Sequence, residues 1–182
     1  MRAQWEQVNF VVAEAEREHQ FRALIETCDS LLATRPNDAQ ALTWCGIVQS
    51  SYAGAAGGLG ALKHAKAARK HFQRAIDIDR GAVNGAALTS LGTLYAKVPG
   101  WPVGFGNDKK ARQYLEEGLQ ANPEGMDSNF FMAEFLADQG ETEEAKRHLQ
   151  RALQAPGRPG RAISDTARRK EVEALLAELA AP

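Results

Sequence analysis

Residues 88–123, LTSLGTLYAKVPGWPVGFGNDKKARQYLEEGLQANP, decide how this chain folds. Leu88, Leu91 and Tyr95 recur at three and four residues, with Gly92 beside Leu91, which is the spacing of one helical face carrying a small residue. Ala111, Leu115 and Gly118 repeat that spacing further on, and Pro123 closes the run. Between the two faces lies PGWPVGFGND, whose prolines and glycines exclude a helix interior. The stretch is therefore two amphipathic helices joined by a long loop.

The order Leu88-x2-Leu91-Gly92-x2-Tyr95, then Ala111-x3-Leu115-x2-Gly118-x4-Pro123, resembles the paired helices of the tetratricopeptide repeat. The family pattern is W-x2-L-G-x2-Y followed by A-x3-F-x2-A-x4-P; here Leu stands for Trp and Phe, and Gly for the second Ala. The joining loop is longer than the family normally has. The resemblance implies an all-α fold, a right-handed superhelix of antiparallel helix pairs. It also implies a protein-interaction module without catalysis or cofactor.

Outward from that stretch the same spacing recurs. Trp5, Val8, Val11, Val12 and Ala15 make one stripe from Trp5 to Glu18, and Phe21, Leu24, Cys28 and Leu31 a second, ended by Pro36. Leu42, Cys45, Gly46 and Gln49 follow the turn at Pro36–Asp38. The run from Gly54 to Gly60 is too glycine-rich for a helix interior and reads as a loop, before Ala68, Phe72 and Ala75. After Pro123-Glu124-Gly125, with Asp127 or Ser128 as N-cap, come Met132, Ala133 and Leu136, then Ala145, Leu149 and Ala152. The crossing positions Leu24, Ala68, Ala111 and Ala145 are 44, 43 and 34 residues apart, against the family period of 34. The excess is assigned to the loops around Gly54–Gly60 and Pro99–Gly106, with a slightly longer turn at Gly81–Asn84. From Ser164 to Leu179 a last helix puts Val172, Leu175, Leu176 and Leu179 on one side, with Arg168, Arg169, Lys170 and Glu173 on the other as a solvating cap. The expected organisation is one domain over 1–182, with repeats at about 5–38, 39–82, 83–125 and 126–157 and a capping helix at about 164–180.

Composition bounds the function. With 182 residues, 44% hydrophobic and 25% charged, the chain has the balance of a soluble globular protein with a continuous core. A net charge of -1 gives no global field toward nucleic acid or an anionic membrane; binding either needs a local patch. No apolar run approaches a bilayer-crossing length, and the acidic residues among the first twenty exclude a secretory signal there, so a cytoplasmic location is expected, or a periplasmic one if a leader was removed. Cys28 and Cys45 read as small core residues; a disulfide requires neighbouring helices to bring them together.

The resemblance places the first helix of each pair along a concave groove that holds a partner peptide. The matching positions are Asn9, Phe10 and Ala13, then Thr43 and Ile47, then Thr89, Ser90, Thr93 and Lys97, and finally Phe130, Phe131 and Glu134. Only Lys97 is basic on the third helix face, which departs from the lysine-rich carboxylate clamp of some family members. A neutral wall suits an extended or helical segment with apolar anchors. Phe130 and Phe131 read equally as packing against a neighbouring repeat or the last helix. Trp101 and Phe105 are expected to fold back on the helices, either as a plug or as a lid over one end of the groove. The lid version makes the alternative function a small-molecule or transporter-associated binding protein, its pocket closed by Pro99–Gly106.

Other chemistry is weaker. Lys109 and Lys110 in a helix's first turn invite an anion, yet no G-x4-G-K-[ST] loop is present, and Asn107 or Asp108 reads as the cap. His19, His64, His71 and His148 have no metal spacing, and no nucleophile motif occurs. The basic run Arg158, Arg161, Arg168, Arg169 and Lys170 lacks interleaved aromatics and reads as a solvated surface. The expectation is a non-enzyme with no cofactor and no metal, whose partner is a protein or peptide rather than nucleic acid. Self-association is compatible with it.

Overall fold

Short polar side chains start two of the helices. Asp38 accepts a hydrogen bond from the Ala41 amide at 3.0 Å, and Asn107 accepts one from the Lys110 amide at 2.9 Å. Each satisfies a donor that a helix start leaves free. The computed structural model describes residues 1–181; Pro182, the last residue of the expected domain, lies outside them. Among the described residues the order is α1 (Arg2–Phe10), α2 (Glu14–Thr34), α3 (Ala39–Ala56), α4 (Gly58–Ile78), α5 (Ala82–Lys97), α6 (Asp108–Ala121), α7 (Met126–Asp138), α8 (Thr142–Gln154) and α9 (Ala162–Ala180). The fold is all-α and built of repeated helix pairs: α1 packs on α2, α3 on α4, α5 on α6 and α7 on α8, while α9 lies against α7 and α8.

Small residues set where the paired helices cross. A Cβ at Gly92 would stand 2.7 Å from Leu115 Cγ and 3.0 Å from the Ala111 carbonyl, and one at Gly118 would stand 2.5 Å from Thr89 Oγ1. At Gly46 the Phe72 ring occupies that space. Leu42, Phe72, Leu91, Ala111 and Leu149 are fully buried along the stack. Burying a Leu or Phe side chain contributes about 1.5–3 kcal/mol, so these seams hold the pairs together.

Four local readings change. The stripe drawn from Trp5 to Glu18 is two elements, because the amides of Val11 and Val12 both bond to the Gln7 carbonyl and end α1, while Glu14 and Glu16 favour a new helix start. Val11 is consequently 59% exposed rather than inward. Gly54–Gly60 is not a loop: only Gly57, with φ 59°, separates α3 from α4, and the extra residues lengthen those helices. Buried Tyr52 and Ala53 hold the last turns of α3 in place against the glycine preference. The cap of α7 is Gly125, because the Ser128 hydroxyl instead donates to the Asn122 and Gly125 carbonyls and Asp127 faces arginines. Finally, Cys28 and Cys45 are core residues but also a disulfide, since α2 and α3 bring their Cα atoms to 5.5 Å.

The turn at Gly81 tightens into α5 through Val83, Asn84 and Gly85, at φ 53°, 54° and 71°. A β-branched residue in this left-handed region is strained, and Val83 and Asn84 both line the concave cavity.

Candidate functional site

The first helices of the pairs, α1, α3, α5 and α7, turn one face inward, and α9 crosses the far end. Their side chains line a concave, partly open cavity of about 390 Å³. Trp5, Trp44, Ile47, Leu94 and Phe131 form its apolar walls; Ser50, Ser51, Thr89, Ser90 and Thr93 stud them with hydroxyls. The Trp5 indole packs 5.9 Å from Trp44 and donates from Nε1 to Ser51 Oγ at 2.9 Å.

The cavity is bounded at one end where the first and last helices meet. Arg161 Nε donates to Glu6 Oε1 at 3.1 Å, and Glu6 is only 3% exposed. The same guanidinium lies 5.7 Å from the Trp44 ring. Arg158 bonds to Asp127 and to Asp165, and Arg168 Nε donates to Asp127 Oδ1 at 2.9 Å, so three guanidiniums converge on one carboxylate. Burial alone would raise the Asp127 pKa, but Arg168, Arg158 and Arg161 overcome it and hold the group at about 2. Burial likewise opposes the charge on Arg158, and Asp127 and Asp165 reverse this and raise its pKa.

These arginines correct the sequence reading of a solvated basic surface. Arg158 and Arg161 are half-buried and Arg168 is buried, each neutralised by a carboxylate from elsewhere in the chain. Arg169 is also engaged, donating to the Leu153 and Ala155 carbonyls at the end of α8. Asp127 and Glu6 lie 31 to 155 residues from the arginines they pair with and leave no periodic trace, so local pattern missed them.

Of the groove residues expected from sequence, Ile47, Thr89, Ser90, Thr93, Lys97 and Phe131 line this cavity. Lys97, Phe130, Phe131 and Glu134 line a second, more open cleft between α7 and α9, where Lys97 pairs with Glu134 and Asp138 at 3.3 and 3.0 Å. Burial would lower the Lys97 pKa, and those two carboxylates raise it instead. Phe130 is buried, with the Arg168 guanidinium 4.4 Å from its ring. Phe10 stacks edge-on against Trp5, away from the cavity lining. Thr43 is fully buried, its hydroxyl donating to the Ala39 carbonyl, so it faces the core.

The Pro99–Gly106 loop reaches neither cavity, so it is no lid over them. Phe105 folds back as expected, edge-on to Tyr95 at 5.6 Å. Trp101 does the opposite: it is 90% exposed at the loop tip. Sequence also missed Trp5, Trp44, Ser51 and Asp127 as lining residues; the aromatic spacing that placed Trp5 in the core carried half of that signal.

No cluster of three or more His, Cys, Asp or Glu with metal-holding geometry occurs among the described residues. No helix among them is long and apolar enough to cross a membrane.

The arrangement defines an all-α helical-repeat protein with a concave, partly open cavity. Residues 106–159, from the end of the loop through α6, α7 and α8, match the family model described as "Tetratricopeptide repeat", which supports the tetratricopeptide-repeat assignment there. Comparison with curated proteins finds no match. Among solved structures, one described as a crystal structure of MamA aligns over 78% of this chain and 92% of that chain, at 18% identity and a TM-score of 0.41.

Proposed function

We propose that the chain is a non-catalytic interaction module that takes a short segment of a protein partner into the concave cavity. The carrying observation is the cavity itself: a volume of about 390 Å³ with aromatic walls and convergent hydroxyls suits one or two apolar anchors, with polar groups left to hold the segment's backbone. The junction of α1 and α9 limits the occupant's length. The charges lining the cavity fit a non-catalytic reading: neighbouring charges lower the Asp127 pKa and raise those of Arg158 and Lys97, whereas acid–base catalysis needs a group poised near working pH.

The test is peptide display against the full chain, followed by affinity measurement with Ser90→Trp, which fills the cavity, and Glu116→Ala on exposed α6. Selected peptides should lose at least an order of magnitude of affinity for Ser90→Trp and none for Glu116→Ala. Equal binding to both would overturn the proposal.

Location belongs to the same reading. The sequence reading is a cytoplasmic location, or a periplasmic one if a leader was removed, and the Cys28–Cys45 disulfide favours a compartment that does not keep thiols reduced. Free-thiol labelling of protein isolated from its cellular fraction decides between them.

A further inference from the structure

Trp101 and Val103 stand out from the rest of the surface. They are 90% and 67% exposed, two residues apart, on a loop that is rigid rather than loose. The Gly106 amide donates to the Pro99 carbonyl at 2.9 Å, the Gly104 amide to Gly100 at 3.0 Å, and the Asn107 amide to Tyr95 at 3.0 Å. The loop closes on itself so tightly that neither Gly104 nor Gly106 has room for a Cβ. Apolar surface is therefore held out into solvent by a fixed backbone.

The base of the loop is basic. The Arg69 guanidinium of α4 lies 4.2 Å from the Phe105 ring, and Lys110 Nζ of α6 lies 5.4 Å from the Tyr95 ring. Lys63, Lys66 and Lys70 fall at i, i+3 and i+7 on α4, an exposed stripe on the helix that carries Arg69. Lys109 adds a further exposed cation beside Lys110, and Asp108 is the acidic residue adjoining them. Among the described residues none of these six cations is within ion-pair distance of a carboxylate, although ten of the other cations are. A chain of net charge -1 thus carries a local excess of unpaired positive charge around its most exposed aromatic residue.

We infer that this edge is a peripheral membrane-docking surface for bilayers rich in anionic lipid. Indole and valine side chains enter the headgroup boundary, where tryptophan is favoured, while the lysines stay in water and meet the negative surface potential. Nucleic acid fits less well: the loop tip offers an aliphatic Val103 and prolines beside a single indole, not a row of stacking rings with side-chain donors. No residue of α4 or α6 lines the concave cavity, so the inference does not depend on what occupies that cavity.

The full chain is incubated with vesicles of phosphatidylcholine alone, or with about one third phosphatidylserine, and binding is read by sedimentation and tryptophan emission. Binding is expected to the anionic vesicles only, weakening as salt rises, with a blue shift of emission. Each basic residue at such a surface contributes roughly fivefold, so Lys109→Glu with Lys110→Glu should weaken binding by well over an order of magnitude. Trp101→Ser should abolish the blue shift and weaken binding about tenfold. All three substituted residues are exposed, so unchanged helical circular dichroism checks the fold, and the cavity variant Ser90→Trp should bind vesicles like the parent. Failure to bind anionic vesicles, equal binding to neutral ones, or an unaffected Trp101→Ser variant would each overturn the inference. So would tighter binding of a single-stranded oligonucleotide than of vesicles, if Trp101→Ser removes it.

Discussion

Gly92 was read from the sequence as the small member of a helical face, and the reason is visible at atomic distance: the neighbouring helix leaves its Cβ no space. Gly92→Ala must push α6 away at Leu115, and overpacking of this kind costs about 1–3 kcal/mol, measurable as a lowered urea midpoint. Val83 offers the opposite case. Its φ of 53° disfavours a branched side chain, so Val83→Gly should gain about 1 kcal/mol of stability, less whatever contact the side chain loses. Nothing in the residue order around Val83 announces that geometry. Histidines supply a pH dependence at the same scale. Burial lowers the His148 pKa, assisted by Arg151 and Arg147 and opposed by Glu144, while Nδ1 lies 2.9 Å from Asn129 Oδ1. Burial lowers that of His71 as well. For groups kept neutral in the fold, the unfolded chain binds protons first. Their stabilisation is thus complete above an ordinary histidine pKa of about 6.5 and drains away as pH falls below it. Thermal unfolding should show a lower midpoint at mildly acidic pH than at neutrality, and His148→Gln should flatten that slope. Asp127 contributes its full stabilisation above the ordinary carboxylate pKa and loses it as pH falls through about 2.

Among the elements, what was legible followed from periodicity, and what was not depended on neighbours. The seams of α5 with α6 and of α7 with α8 could be read because Leu91, Leu115, Ala133 and Leu149 repeat at helical spacing, and all are buried. The joint between α3 and α4 was misread because glycine propensity is a local quantity, and the packing of Tyr52 and Ala53 is not. The cysteines show the same limit: seventeen residues of separation say nothing about facing sides of α2 and α3. That bond should matter to the element pair it joins. Closing a loop of this length is worth about 3 kcal/mol, so dithiothreitol should lower the melting temperature, and the Cys28→Ser, Cys45→Ser double variant should match the reduced protein. In hydrogen exchange the loss should concentrate in α1, α2 and α3, because a helical stack transmits instability mainly to adjacent members.

For the molecule as a whole, the decisive contact joins residues 155 positions apart, Arg161 to Glu6. Repeat spacing says how each hairpin packs on the next; it does not say that the accumulated turn returns α9 to α1. Six of the groove residues inferred from the repeat pattern line the cavity, while its arginine end comes from that return. Arg161→Ala leaves the Glu6 carboxylate enclosed without its partner, at a cost of about 3 kcal/mol. Amide exchange across α1 should then accelerate more than that across α5 or α6; uniform acceleration would show that the contact supports the whole stack rather than its ends.

Open helical stacks behave as springs, widening or narrowing to suit what they wrap. Here tip is clasped to tip through Glu6 and Arg161, and a clasped coil gives up that breathing motion. A binding site of that kind would lose little entropy on capture, its shape being set beforehand, and would tolerate bulkier ligands less in return.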